Sequence, residues 1–365
     1  MKAPWVQMLS SAGMSGSALL IPNILRDGFG ADTIQIGLIT ASFNAALFAS
    51  SYYFGRFSDV HGRRMILQVG LALTAFALVL LAFTDSVNSL WMIRILVGLC
   101  AGMYPSALLA HVYESDKKVG KFSAYGALGF GFGVLAAGMI SIYYGVFLFC
   151  ALMLFGAFAI TLTIPFGTEH KQKVPFFPKE IFRRNGPIYL SIMFRHIGAN
   201  MIWVIYPLFL EDLGAADWFI GAIYAINAFA QFAFMQYVDR FSSTKLVMFG
   251  FIFSIITFPS YTLALEAWQI IPAQISIAAA WSCLYVGSVK YVMERNEEKG
   301  TSAGLLQSSL SISAIIGAMT GGVAAFTLGY HGAMYIATVL ATVGVIIFFI
   351  SHRYVERTSK GINAT

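Results

Sequence analysis

The sequence predicts an all-α integral membrane protein, with twelve transmembrane helices in two pseudo-symmetric six-helix bundles. Three observations lead there. The 365-residue chain is 58% apolar and only 11% charged, too little charge to cover a water-soluble protein of this size. Apolar runs of about 20 residues, the length that crosses a ~30 Å hydrocarbon core, recur from end to end. Short motifs of the first half return 180 residues later in the second, as in membrane proteins built from two similar halves.

Twelve runs read as crossings: residues 4–24, 34–54, 65–84, 89–113, 122–143, 146–166, 187–210, 217–237, 246–264, 267–291, 302–327 and 332–351. They are continuously apolar rather than alternating, which favours helices over a barrel. Only Lys2 precedes the first run, which carries Gln7, Ser10, Ser11, Ser15 and Ser17; it reads as a mature helix rather than a cleaved signal peptide. The one long connection divides the chain into an N-terminal bundle (1–166), a cytoplasmic linker (167–186), and a C-terminal bundle with a short cytoplasmic tail (187–365). The linker is basic and proline-containing; a solvated tether is the expectation, with anionic-lipid binding as the alternative. Abundant glycine suits close helix packing in lipid. Cys100, Cys150 and Cys283 all fall inside apolar runs, so neither a disulfide framework nor a metal site is expected.

Charge fixes the orientation. With twelve crossings, 20 of the 23 Lys and Arg residues share one side with both termini. Seven acids, Asp27, Asp32, Asp85, Glu211, Asp212, Asp217 and Glu266, decorate the other, where Arg26 is the single base. The basic side is therefore expected to be cytoplasmic. The formal charge of +6 follows from this partition and does not call for a nucleic-acid partner.

The repeated motifs lie in the basic loops. Asp59 in GRFSDVHGRR pairs with Asp239 in MQYVDRFSSTK; Glu114 and Gly120 in VYESDKKVG pair with Glu294 and Gly300 in VMERNEEKG. Gly55, Asp59, Gly62, Arg63 and Arg64 resemble the loop between the second and third helices of the major facilitator superfamily, G-x-x-x-D-x-x-G-[RK]-[RK]. Physically, Gly55 permits close helix contact, Gly62 a tight turn, and the charges a latch. The second copy keeps Asp239 but has Ser242 at the second glycine. Arg94, Gly98 and Gly102 resemble the family's R-x-x-x-G segment. The fifth run is glycine-rich but lacks the Gly-Pro pair of the family's drug–proton antiporters. The GAD of 30–32 returns as GAAD at 214–217.

That resemblance implies two bundles around a central cavity lined by the first, fourth, seventh and tenth helices, exposed alternately to each side. It implies that the Asp59 loop helps hold an outward-open state, with Arg63 meeting Glu114. Asp239 and Glu294 would be the second-half counterparts.

All 17 acids fall in loops or at helix ends, so no membrane carboxylate is available to carry protons. The ionisable residues inside the runs are Arg94, Arg195 and His196. Arg195 and His196, with Asn200 and Trp203 at helical spacing, form a polar and aromatic strip. The strip is expected to face the pathway, with Arg195 attracting an anionic or electron-rich group and His196 able to titrate near neutrality; interhelical bonding alone is the alternative. The tenth run adds Gln269, Gln274, Trp281, Tyr285, Ser288 and Lys290, and the first adds Gln7, Ser11, Met14 and Ser15. Met14, Arg94, Arg195, His196, Asn200, Trp203, Gln274, Trp281 and Tyr285 are the candidate substrate contacts, a mixture that suits a partly apolar organic ligand.

Together these residues read as a secondary carrier of a small organic solute by alternating access, leaning to efflux of amphipathic, drug-like compounds. Uptake or exchange of an organic anion bound by Arg195 and Arg94 is the alternative, and a non-transporting sensor of the same fold is another. No nucleotide-binding loop of the G-x-x-x-x-G-K-[ST] kind occurs, and no enzymatic or metal constellation is visible. No cofactor is expected. The expected partners are the solute, membrane lipid, and a proton or counter-transported ion. A functional monomer in a prokaryotic cell membrane is the expected setting.

Overall fold

The computed structural model describes residues 2–362 except 20, 22–23, 32, 116, 141, 167–177 and 216. Asp32, Ala216 and most of the expected linker lie outside the described residues. Among the described residues the regular structure is helical, without strands. The helices are α1 (Ala3–Leu19), α2 (Thr33–His61), α3 (Arg63–Leu81), α4 (Val87–Ala101), α5 (Tyr104–Ser115), α6 (Val119–Ile140), α7 (Tyr143–Leu162), α8 (Lys179–Asp212), α9 (Asp217–Met235), α10 (Ser243–Ser260), α11 (Ile271–Arg295) and α12 (Lys299–Ile362). A π-helical turn, Ile24–Gly28, follows α1, and 3₁₀ turns Val238–Arg240, Tyr261–Leu263 and Ala267–Ile270 flank α10 and α11. Nine stretches of the described residues are long and apolar enough to cross a membrane; α1 and α2 occupy the first two predicted runs.

Two departures from the predicted runs have physical causes. The fourth run is two helices, α4 and α5, parted at Gly102 and Met103. Pro105 offers no N–H and its ring crowds the carbonyl four residues back, so the ladder breaks there. Residues 179–186 of the expected linker form the first turns of α8. Ile181, Asn185, Ile188 and Ile192 are all buried at helical spacing, which gives those turns an inward face. The last two runs are helical as predicted, lying within the α12 range as two segments parted at Gly329 (φ 70°, ψ 175°). At positive φ a glycine is the natural residue.

Chain packing defines two compact units. The first comprises 1–176 with 228–240 and 292–311; the second comprises 177–227, 241–291 and 312–365. In the first unit α1 packs intimately on α6. A methyl group on Gly129 or Gly133 of α6 would strike the carbonyls of Met8 or Ala12. Ser11 donates to the Gly126 carbonyl at 2.7 Å and Ser15 to that of Phe130 at 3.1 Å. Small residues and interhelical hydroxyl bonds are what hold helices together where lipid removes the hydrophobic drive. The second unit has a core of Ile202, Tyr206, Phe209, Ile223, Phe258, Tyr261 and Ile277.

Candidate functional site

Within the first unit, the two basic motifs meet the start of α12. Asp59, 4% exposed near the end of α2, accepts hydrogen bonds from the Gly300 N–H (3.0 Å), the Thr301 N–H (2.7 Å) and the Thr301 hydroxyl (2.9 Å). The first N–H groups of a helix lack intrahelical partners and carry the positive end of its dipole, so a carboxylate is the natural cap. Burial pushes the Asp59 carboxyl above the usual carboxylate range, while the bonds from Thr301 and Gly300 and the Arg63 charge oppose that rise. Arg63 pairs with Asp59 at 3.4 Å and with Glu114, which also meets Lys299 at 3.4 Å. Gly62 holds φ 109° between α2 and α3, as a tight turn requires. Gly55 lies against α12 so closely that a methyl group there would sit 2.6 Å from the Gly300 carbonyl.

The second copy makes the reciprocal contact in the same unit. Asp239 accepts from the backbone N–H of Gly120 (2.8 Å) and Lys121 (3.0 Å), capping α6. Glu294 is exposed and lies 3.9 Å from Arg295; Arg64 is also exposed.

Arg94 is buried on α4 with its guanidinium 4.1 Å from the centre of the Phe43 ring. Its Nε and Nη1 have no hydrogen-bond partner among the described residues. Met14 sits half-buried on α1.

In the second unit, Arg195 is 2% exposed. Its Nε donates to the Ser254 hydroxyl at 2.9 Å, and that hydroxyl donates to the Gly250 carbonyl at 2.7 Å. Nη2 has no hydrogen-bond partner among the described residues, and the guanidinium lies 5.3 Å from the Phe258 ring centre and 5.6 Å from that of Trp281. Trp281 stacks on His196 at 5.0 Å and on Tyr285 at 5.2 Å. These three rings are partly buried and stack in a row beside a dehydrated cation. The predicted strip therefore divides. His196 joins the stack, while Asn200 bonds back to the His196 carbonyl at 2.8 Å. Trp203 packs on Tyr206 and Tyr224 at 5.3 and 5.5 Å. Gln274, fully buried, donates to the Tyr206 hydroxyl. Gln269 accepts from the N–H of Leu265 (2.7 Å), and Lys290 donates to the Phe241 carbonyl (2.8 Å).

The Major Facilitator Superfamily profile matches residues 5–194 and again 188–364. The chain belongs to the Major Facilitator Superfamily. It is thus an integral, multi-pass membrane transporter by family. It is 22% identical to an uncharacterized MFS-type transporter of Methanocaldococcus jannaschii over 97% of both chains. It is also 22% identical to the class B tetracycline resistance protein of Escherichia coli, over 86% of this chain and 84% of that one. Its fold superposes on the crystal structure of the human organic anion transporter MFSD10 with a TM-score of 0.80, at 14% identity, covering 95% of this chain and 98% of that one.

Sequence reasoning singled out Asp59, Arg63, Glu114 and Asp239 but missed the backbone N–H groups that Asp59 and Asp239 hold. The signal was present, since Gly120 and Gly300 stood out in the same repeat. Ser254 and the tyrosines Tyr206, Tyr224 and Tyr261 were also missed, because residues ordinary in type become notable only through their neighbours.

Proposed function

We propose that this protein is a secondary transporter that moves a small organic solute across the cell membrane by alternating access, with efflux of amphipathic, drug-like compounds favoured. In this reading twelve crossings place both termini in the cytoplasm, the chain works as a monomer, and the paired aspartate caps form the cytoplasmic latch. The observation that carries the reading is the partly buried His196–Trp281–Tyr285 stack beside Arg195. Flat aromatic faces bind partly apolar ligands with little demand on their exact shape. The resemblance to a tetracycline resistance protein supports efflux.

A second reading, transport of an organic anion, rests on the buried Arg195 with an unpartnered Nη2. A cation held in a dry site, with no ion pair to a carboxylate among the described residues, favours an anionic visitor. The fold likeness to an organic anion transporter agrees with it.

Reconstituted vesicles decide between these readings. Saturable, nucleotide-independent flux of lipophilic cations under an imposed pH gradient supports drug efflux. The same flux for aromatic anions, lost in Arg195→Ala, supports the second reading. Tight binding without flux for either class would leave a sensor.

A further inference from the structure

We propose that a pocket at the basic end of α1, α5 and α6 binds the headgroup of an anionic phospholipid. The pocket has a volume of about 160 Å³ and is lined by Lys118, Lys121, Trp5, Phe122, Tyr125 and Val112. The transport reading uses only the Lys121 backbone N–H, through the Asp239 cap, and none of these side chains.

Size sets the ligand class. Sites that enclose a drug-sized ligand run to roughly 300–1,000 Å³. This pocket of about 160 Å³ lies below that range and suits one compact polar group such as a phosphate ester. Two lysines supply positive charge for the phosphate, while the aromatic residues favour a ligand that continues into an apolar part. Trp5 remains 49% exposed and stands edge-on to Tyr125 at 5.5 Å. A tryptophan and a tyrosine at the ends of apolar helices mark headgroup depth. On the proposed orientation this is the cytoplasmic leaflet, where anionic lipids concentrate.

The pocket is also pre-formed. Lys121, Phe122 and Tyr125 all belong to the first two turns of α6, and the Lys121 N–H is held by Asp239 at 3.0 Å. Tyr125 also meets Phe232 edge-on at 6.3 Å. A wall pinned this way loses little freedom when a ligand arrives.

The purified full-length protein in neutral detergent tests this by its thermal midpoint, titrated separately with phosphatidylglycerol, phosphatidylcholine and glycerol 3-phosphate. Phosphatidylglycerol should stabilise saturably, phosphatidylcholine should not, and glycerol 3-phosphate should be at least tenfold weaker. Lys118→Gln/Lys121→Gln should raise the phosphatidylglycerol half-saturation at least fivefold. The charge-matched Lys179→Gln/Arg183→Gln should leave it unchanged. Should the first double variant not fold, Lys118→Glu, at an exposed position, gives the same reading. Equal effects of the two lipids, an unshifted Lys118/Lys121 variant, or equal loss in the charge-matched control would overturn the site. Glycerol 3-phosphate as potent as the lipid would overturn the lipid assignment. The titration is independent of which solute is carried, so failure of the transport reading leaves it standing.

Discussion

Asp59 and Asp239, 180 residues apart, exchange partners between the repeats. Asp59 caps α12 through Gly300 at 3.0 Å, and Asp239 caps α6 through Gly120 at 2.8 Å. Gly300 is itself 180 residues after Gly120, so each carboxylate holds the counterpart of the other's partner. The pairing is unequal. Asp59 is buried and adds the Thr301 hydroxyl and Arg63, whereas Asp239 is only partly buried.

Loss of charge at the stronger cap should therefore cost more. A cap contributes about 0.5–2 kcal/mol, a factor of roughly two to thirty in population. Asp59→Asn should slow initial flux in vesicles by about tenfold and Asp239→Asn by about threefold, at equal reconstituted protein, within that range. Equal effects would show that burial and Arg63 contribute nothing.

Glu114 should matter less. Its side chain is 44% exposed, and solvent-exposed pairs typically contribute no more than about 1 kcal/mol. Glu114→Gln should lower the thermal midpoint only slightly, with the difference shrinking in high salt. A drop as large as that of Asp59→Asn would contradict this ranking.

Close backbone contact predicts a sharper effect at Gly55. A methyl group there meets the Gly300 carbonyl at 2.6 Å and the Gly304 Cα at 3.0 Å, both main-chain atoms that no rotamer change can move. Gly55→Ala should destabilise by about 1–3 kcal/mol. Gly221→Ala, with nothing within 4 Å of the new atom, serves as the control and should be neutral or stabilising. Thermal unfolding of both variants checks the pair.

The long apolar runs and the Gly62 turn were legible in the sequence from local composition and a loop motif, while the Arg63–Glu114 pair followed only from the family resemblance. Pro105 could have signalled the break between α4 and α5, but continuous hydrophobicity masked it. The fate of Gln274 was not legible: an amide in an apolar run serves equally as ligand contact or packing bond until Tyr206 is seen beside it. Trp203 was assigned to one strip with His196 on spacing alone, yet its ring turns to Tyr206 and Tyr224. Spacing fixes a face of a helix, not the neighbour that meets it.

In the second unit, Arg195 and Ser254 should separate a binding charge from its support. Arg195→Ala should weaken binding of an aromatic anion at least tenfold. Ser254→Ala removes the hydrogen bond that supports Arg195, worth about 0.5–1.5 kcal/mol, and should weaken that binding roughly two- to tenfold. Trp281→Ala should weaken both aromatic cations and anions, because the stack serves either charge. Equilibrium binding to detergent-purified protein, with folding checked by thermal midpoint, measures all three.

Counterflow tests alternating access most directly. Vesicles preloaded with unlabelled solute are diluted into a trace of labelled solute, with no nucleotide and no imposed ion gradient. A carrier that presents one site to each side in turn gives a transient accumulation of label above equilibrium, diminished in Asp59→Asn. Label that only rises to equilibrium, or that binds without entering, would contradict the proposed mechanism.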